Sequence, residues 1–188
     1  KDSAEEVDDR LSWIVSLLPF VDQAPLYKQI DQKDGWKSDA NSDWTGFNIE
    51  MLTNPAEPNG REGTTHYVGM AGIGKDAADL KVNDPKAGIF GYNRQTRFRD
   101  ITDGTSNTIA ITEASDHFGP WAQGGRSTIR GLTEEPYING PDGIGSPFPG
   151  GMNAGLADGS VRFISENIDP EVFKALITIR GGERIGEF

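Results

Sequence analysis

The densest run of oxygen-bearing side chains in this sequence is Asp103-Gly104-Thr105-Ser106-Asn107-Thr108. Asp103, Ser106 and Asn107 offer the hard oxygen ligands that calcium takes, and Gly104 lets the backbone turn tightly. The same residues also make an Asx or type I turn entering a strand, with Asp103 and Asn107 bonded to local amides. The run lacks the D-x-[DN]-x-[DN]-G spacing of a dedicated calcium loop, which favours the turn. A second run, Gly150-Gly151-Met152-Asn153-Ala154-Gly155-Leu156-Ala157-Asp158-Gly159-Ser160, carries enough glycine to cradle a phosphate. A P-loop would end in Lys and then Ser or Thr, and a dinucleotide fingerprint needs a strand before it and a helix after it; neither context is present. Asp158-Gly159 ahead of Val161 reads instead as a hairpin turn.

Other chemistry is thinly supported. The two histidines are His66 and His117. His117 follows Glu113 by four residues and Asp116 by one, but if 108–113 is a strand the helical geometry of a metal pair fails. With no cysteine, thiolate ligands, disulfides and cysteine nucleophiles are excluded together. There is no G-x-S-x-G elbow for a serine hydrolase. The 29 acidic residues guarantee that some carboxylates lie close together, so a pair carries no information about glycoside hydrolysis. Trp36, Trp44 and Trp121 lie in loop-like sequence, where they either stack on sugars or anchor the loops to a core. We expect no catalytic constellation and no resident cofactor, with calcium a lesser alternative.

The elements that would position these residues are short. Residues 3–31 hold the one long helical pattern. Ser3 is the expected N-cap, acidic Glu5, Glu6, Asp8 and Asp9 follow, and Leu11, Ile14, Val15, Leu18 and Val21 form an apolar stripe that Pro19 interrupts. Residues 31–63 read as a long surface loop. Strand-like runs follow at 64–70, 88–92, 108–113 and 161–164, with a polar linker at 72–86 and a Gly/Pro-rich region at 115–149. A last helix spans 169–180, with Asp169 as N-cap, Pro170 in its first turn, and Gly181-Gly182 as a stop. The order predicts an α+β fold: an N-terminal amphipathic helix packed on an antiparallel β-sheet, with long loops, as one unit over residues 1–188. Within it, 1–30 would be helix, 31–63 loop, and 64–188 the sheet with its short C-terminal helix.

Composition agrees. The 188 residues suit one ordinary domain, and 24 glycines with 11 prolines require many loops. Against 29 acids stand 18 basic residues, for a net charge of −11, so phosphate backbones are repelled and no nucleic-acid partner is expected. Four Trp and nine Phe argue for a packed core.

Taken in order, several motifs resemble a bacterial domain-of-unknown-function family, number 1559. The segment Leu11-Ser12-Trp13-Ile14-Val15-Ser16-Leu17-Leu18-Pro19-Phe20-Val21-Asp22-Gln23-Ala24-Pro25-Leu26-Tyr27 is similar to its opening SW-x-V-x-LLP-[YF]-x-[ED]Q-x-x-LY. Thr65-His66-Tyr67-Val68-Gly69 resembles its T-x-Y-x-G strand, and Gly88-Ile89-Phe90, Arg97 onward to Ile109, and Glu113 resemble its most specific run. Pro149-Gly150-Gly151-Met152-Asn153, Asp158-Gly159 through Ile164, and Arg180-Gly181-Gly182-Glu183 complete the likeness. The family pattern places a histidine ten residues before Asp158, where this chain has Phe148, and often Cys-Pro-Ser where it has Thr53-Asn54-Pro55. These departures leave packing roles for Phe148, Asn153, Asp158 and Gly159 and give no support to a metal or redox role.

The resemblance implies a pseudopilin-like fold behind a prepilin-type segment, a leader cleaved ahead of an apolar transmembrane helix. It implies the headpiece of a type II secretion or type IV pilus-like protein, extracytoplasmic and membrane-anchored. Other pilin-like subunits would be its partners through that helix. The alternative class is an extracytoplasmic module binding a small molecule or carbohydrate.

Overall fold

The computed structural model describes residues 6–57 and 63–183, and the expected Ser3 cap and Glu5 lie outside them. The fold is α+β. Its strands are β1 Thr64–Thr65, β2 Tyr67–Ile73, β3 Ile109–Glu113, β4 Gly119–Pro120, β5 Ile129–Leu132, β6 Gly151–Leu156 and β7 Val161–Ser165; its α-helices are α1 Ala24–Tyr27, α2 Ser42–Thr45 and α3 Pro170–Ile177. They fall into two compact units: one joins the described residues up to His66 with Phe118–Thr128, the other joins Tyr67–His117 with the residues from Ile129 onward.

The first unit is built around indoles. Ile14, Val15 and Leu18 are buried against Ile30, Trp36, Ile49 and Trp121. The apolar stripe is therefore inside, as its spacing predicts, but the long helix is not formed. Trp13–Phe20 is a 3₁₀ helix, and a single α-turn follows at α1. Pro19 has no amide hydrogen to donate, and Asp22 turns the chain at φ 58°, so an α-helix cannot run through. Ser12 caps the 3₁₀ segment: its Oγ accepts from Ile14 N at 3.1 Å and donates to Trp121 O at 2.6 Å. The indoles pin the loops from inside, Trp36 Nε1 donating to Asp8 O, Trp121 Nε1 to Phe47 O and Trp13 Nε1 to Thr128 O. Fully buried Asn41 closes the long loop, its Nδ2 reaching the carbonyls of Asp31, Asp34 and Gly35 while its Oδ1 accepts from Asp31 N. β1 and β4 pair as a short antiparallel ribbon.

The second unit holds a five-stranded sheet of order β5-β2-β3-β6-β7. Every pairing is antiparallel except β2 with β5. The helix that covers this sheet is α3, whose Phe173, Leu176 and Ile177 pack on Met70, Ile109, Met152 and Ile164. Asp169 caps it as expected, accepting from Glu171 N and Val172 N. The helix ends at Ile177, three residues early, because Thr178 is already extended.

Three strands, β4, β5 and β6, come from sequence that reads as loop. In β6, Met152, Ala154 and Leu156 are buried in the core and alternate with Gly151, Asn153 and Gly155, so the period of two is masked by the two glycines. Residues 88–92 are not a strand: Gly88 N donates to Ala71 O and Phe90 N to Met70 O, a close irregular approach that only glycine fits, since a Cβ at Gly88 would lie 2.6 Å from the carbonyl carbon of Ala71. The expected polar linker at 72–86 contains a 3₁₀ turn, Ala77–Asp79, whose two alanines are buried. Among the described residues, no helix is long and apolar enough to cross a membrane.

Candidate binding site where the sequence motifs converge

The Asp103 run folds as a turn tied to its neighbours. Gly104 takes φ 100°, and a 3₁₀ turn, Thr105–Asn107, follows. Asn107 Nδ2 donates to Asp103 O at 3.3 Å and Thr108 Oγ1 to Gly104 O at 3.0 Å. The loop is then sewn to the tail beyond α3: Thr102 N and Asp103 N both donate to Ile179 O, and Asp103 Oδ1 accepts from Gly182 N at 3.2 Å. It is sewn equally to the β6–β7 hairpin, where Ala157 N donates to Thr108 O and Asp158 N to Thr105 O. In that hairpin Asp158 Oδ1 accepts from both Ser160 Oγ at 2.6 Å and Ser160 N at 2.9 Å. These bonds, the hydroxyl first, hold the Asp158 carboxyl below the ordinary carboxylate range.

The Gly88-Ile89-Phe90 segment completes the corner. The Phe90 ring lies where a side chain on Gly69 would be, 2.6 Å from such a Cβ. Behind it, the Arg94 guanidinium donates to the carbonyls of Ala77, Leu80, Ala71 and Gly88 at 2.8–2.9 Å and also to that of Phe90. Burial lowers the Arg94 pKa, partly offset by Asp84 and Asp79. Between these parts runs a groove of about 470 Å³, lined by Ile89, Phe90, Arg97, Phe98, Ile101 and Leu156, with Gly159 at its edge.

The sequence profile of one family, described as "Protein of unknown function (DUF1559)", matches residues 1–120 and 116–171. The chain belongs to this family. No curated protein and no solved structure matches it.

In this DUF1559 chain, Asp103, Ser106, Asn107, Asp158 and Gly159 are thus brought to one corner, together with the closing Arg180-Gly181-Gly182 segment. Asn153 and Phe148 are not among the groove-lining residues. Asn153 faces out from β6 opposite Phe163, its main-chain N donating to Glu113 Oε2 at 2.7 Å, and Phe148 is half-exposed in the loop before β6. His117, at φ 57°, donates its main-chain N–H to Asp116 Oδ1, while the Glu113 carboxylate is turned to Asn153. Among the described residues, no three of His, Cys, Asp or Glu converge as a metal set. Asp103 Oδ2 is buried with no hydrogen-bond partner.

Two arginines that sequence reading passed over organise the DUF1559 sheet unit. Arg94 gathers five carbonyls, and buried Arg130 gathers those of Asp116, His117, Asp142 and Gly143. A guanidinium carries five N–H donors in a fixed fork, so it can close several irregular loops at once. Nothing in the spacing of Arg94 or Arg130 separates them from surface arginines.

Proposed function

We propose that this DUF1559 chain is the extracytoplasmic headpiece of a pseudopilin-like structural protein, a subunit of a filament or envelope assembly and not an enzyme. One observation supports this most. Asp103, Asn107 and Asp158 of the family-like motifs are bonded to neighbouring loop and turn groups, whereas several large apolar side chains of those motifs stand on the surface. Phe98 is 76 % exposed, Val161 69 %, Phe163 59 % and Phe20 82 %. Surface aromatics on a stitched frame serve protein contact better than they serve acid–base or nucleophilic chemistry.

In this reading a prepilin-type apolar helix carries the headpiece to the membrane and packs with other pilin-like subunits, favoured by about 25 cal/mol for each Å² of apolar area buried. The test is expression from the natural gene in a cell with a prepilin peptidase. Cleavage of a leader and recovery in the membrane fraction support the reading, and an unprocessed protein in the soluble fraction overturns it.

A further inference from the structure

The first unit contains a second cleft, of about 410 Å³, distinct from the motif corner. Its apolar side is made by Leu26, Ile49 and two rings, Trp44 and Phe47, whose planes lie 25° apart with centroids at 6.2 Å. Its rim carries Asp22, Gln23, Gln29 and Asn48.

The hydrogen-bond pattern sets this cleft apart. Trp13, Trp36 and Trp121 each donate their indole N–H to a carbonyl at 2.8–2.9 Å. Trp44 makes no such bond among the described residues, and neither do the side chains of Gln23, Gln29 and Asn48. Three amide side chains and one indole that make no hydrogen bond within the protein, with the Asp22 carboxylate beside them, therefore line the same half-open space. The volume is in the range of small-molecule sites, roughly 300–1,000 Å³.

The chemistry narrows the ligand. No Lys or Arg lines the cleft, so an anion has no partner there, and the net charge of −11 opposes it further. An amide both donates and accepts, as a hydroxyl does, so three amides suit a ligand carrying many hydroxyls. The rings suit one with an apolar face. A pyranose has both properties, with C–H bonds on one face and hydroxyls around its edge. The geometry points to a site for a neutral saccharide, with Trp44 and Phe47 under the sugar ring and Gln23, Gln29 and Asn48 on its hydroxyls. This site is independent of the proposed assembly role and adds recognition of a glycan to it.

The experiment uses the four indole N–H signals in a ¹H–¹⁵N spectrum of the whole chain, each assigned by substitution. Methyl glucopyranoside, methyl mannopyranoside, N-acetylglucosamine and cellobiose are titrated in turn, with tetramethylammonium as the cation control. A saturable shift of the Trp44 signal with at least one saccharide, the Trp36 signal staying in place, is expected. Gln29→Ala and Asn48→Ala, both at exposed positions, should each weaken that binding about tenfold, the loss of one ligand hydrogen bond. The other three indole signals report that each variant is folded. The inference is overturned if no saccharide moves the Trp44 signal, if only tetramethylammonium moves it, or if binding is unchanged in Gln29→Ala, Asn48→Ala and Phe47→Ala alike.

Discussion

The main-chain amide of Asp158 donates to the carbonyl of Thr105 at 3.2 Å, joining the β6–β7 hairpin turn to the Asp103 loop. Two motifs that each read as a bare turn are thus halves of one structure. The turn itself depends on Gly159, which sits at φ 87°, where a side chain pays a conformational penalty.

Gly159→Ala should therefore cost about 1 kcal/mol, through backbone strain alone, because a Cβ there meets nothing within 4 Å. Gly159→Asn should recover much of that loss, since Asn tolerates the left-handed region. Thermal unfolding of the two variants checks this. Equal losses would show that the penalty is not conformational.

Arg94→Lys should be costly although it keeps the charge. An ammonium has three N–H donors where the guanidinium serves five carbonyls, and its compact head cannot span them. The carbonyls of Ala71 and Ala77 keep main-chain donors, but those of Leu80, Gly88 and Phe90 depend on the guanidinium fork, so the loss should be about 1–3 kcal/mol, read from urea unfolding. A loss below about 0.5 kcal/mol would mean that these carbonyls are readily hydrated and that Arg94 does not hold the corner together.

His66 gives the chain a pH dependence with a definite sign. Its Nδ1 accepts from Asn54 N at 2.9 Å, its ring stacks on Phe118 at 4.2 Å, and its Nε2 is buried with no hydrogen-bond partner. Burial holds its pKa below the ordinary 6.5, and the opposing pull of Glu57 is smaller. The unfolded chain therefore takes up the proton first. Stability from this group is complete above the unfolded value and is lost as the pH falls below it toward the folded one. Between about pH 7.5 and about pH 5.5 the native chain should lose more melting temperature than His66→Gln does. Parallel curves for the two chains would refute it.

What was legible in the sequence followed the clarity of its signals. Asp169-Pro170 and the stripe Val172, Phe173, Leu176 and Ile177 placed α3, because cap and periodicity agree there. β3 and β7 showed as branched, apolar runs. β6 did not, because Gly151 and Gly155 interrupt its alternation and glycine reads as turn. The N-terminal stripe identified what is buried but not the helix type, since hydrogen bonding there answers to Pro19 and Asp22. At the candidate site the Asp103 loop and the Asp158 turn were visible separately. Their union is carried by main-chain bonds, to which side-chain patterns give no clue. Asn41 and Arg94 stayed hidden for the same reason: what they bind is backbone. The aromatic cleft was half legible: Trp36, Trp44 and Trp121 looked alike, and only packing shows that two of them are anchors and one faces a cleft.

The last prediction concerns the wall of the motif groove. Phe90 occupies the space that Gly69 leaves open, its Cγ and Cδ2 only 2.6 Å from where a Cβ would stand. Gly69 is not at a positive φ, so Gly69→Ala acts by steric displacement alone and should cost about 1–3 kcal/mol, the usual range for overpacking. Phe90→Ala should also destabilise, by removing the ring's contacts. In the double variant the added methyl meets no ring, so the combined loss should fall short of the sum of the single losses by about 1 kcal/mol or more. Denaturant unfolding of the four chains measures that coupling. A strictly additive result would show that the Phe90 ring is not seated on Gly69 in solution, and with it the groove wall would lose its physical basis.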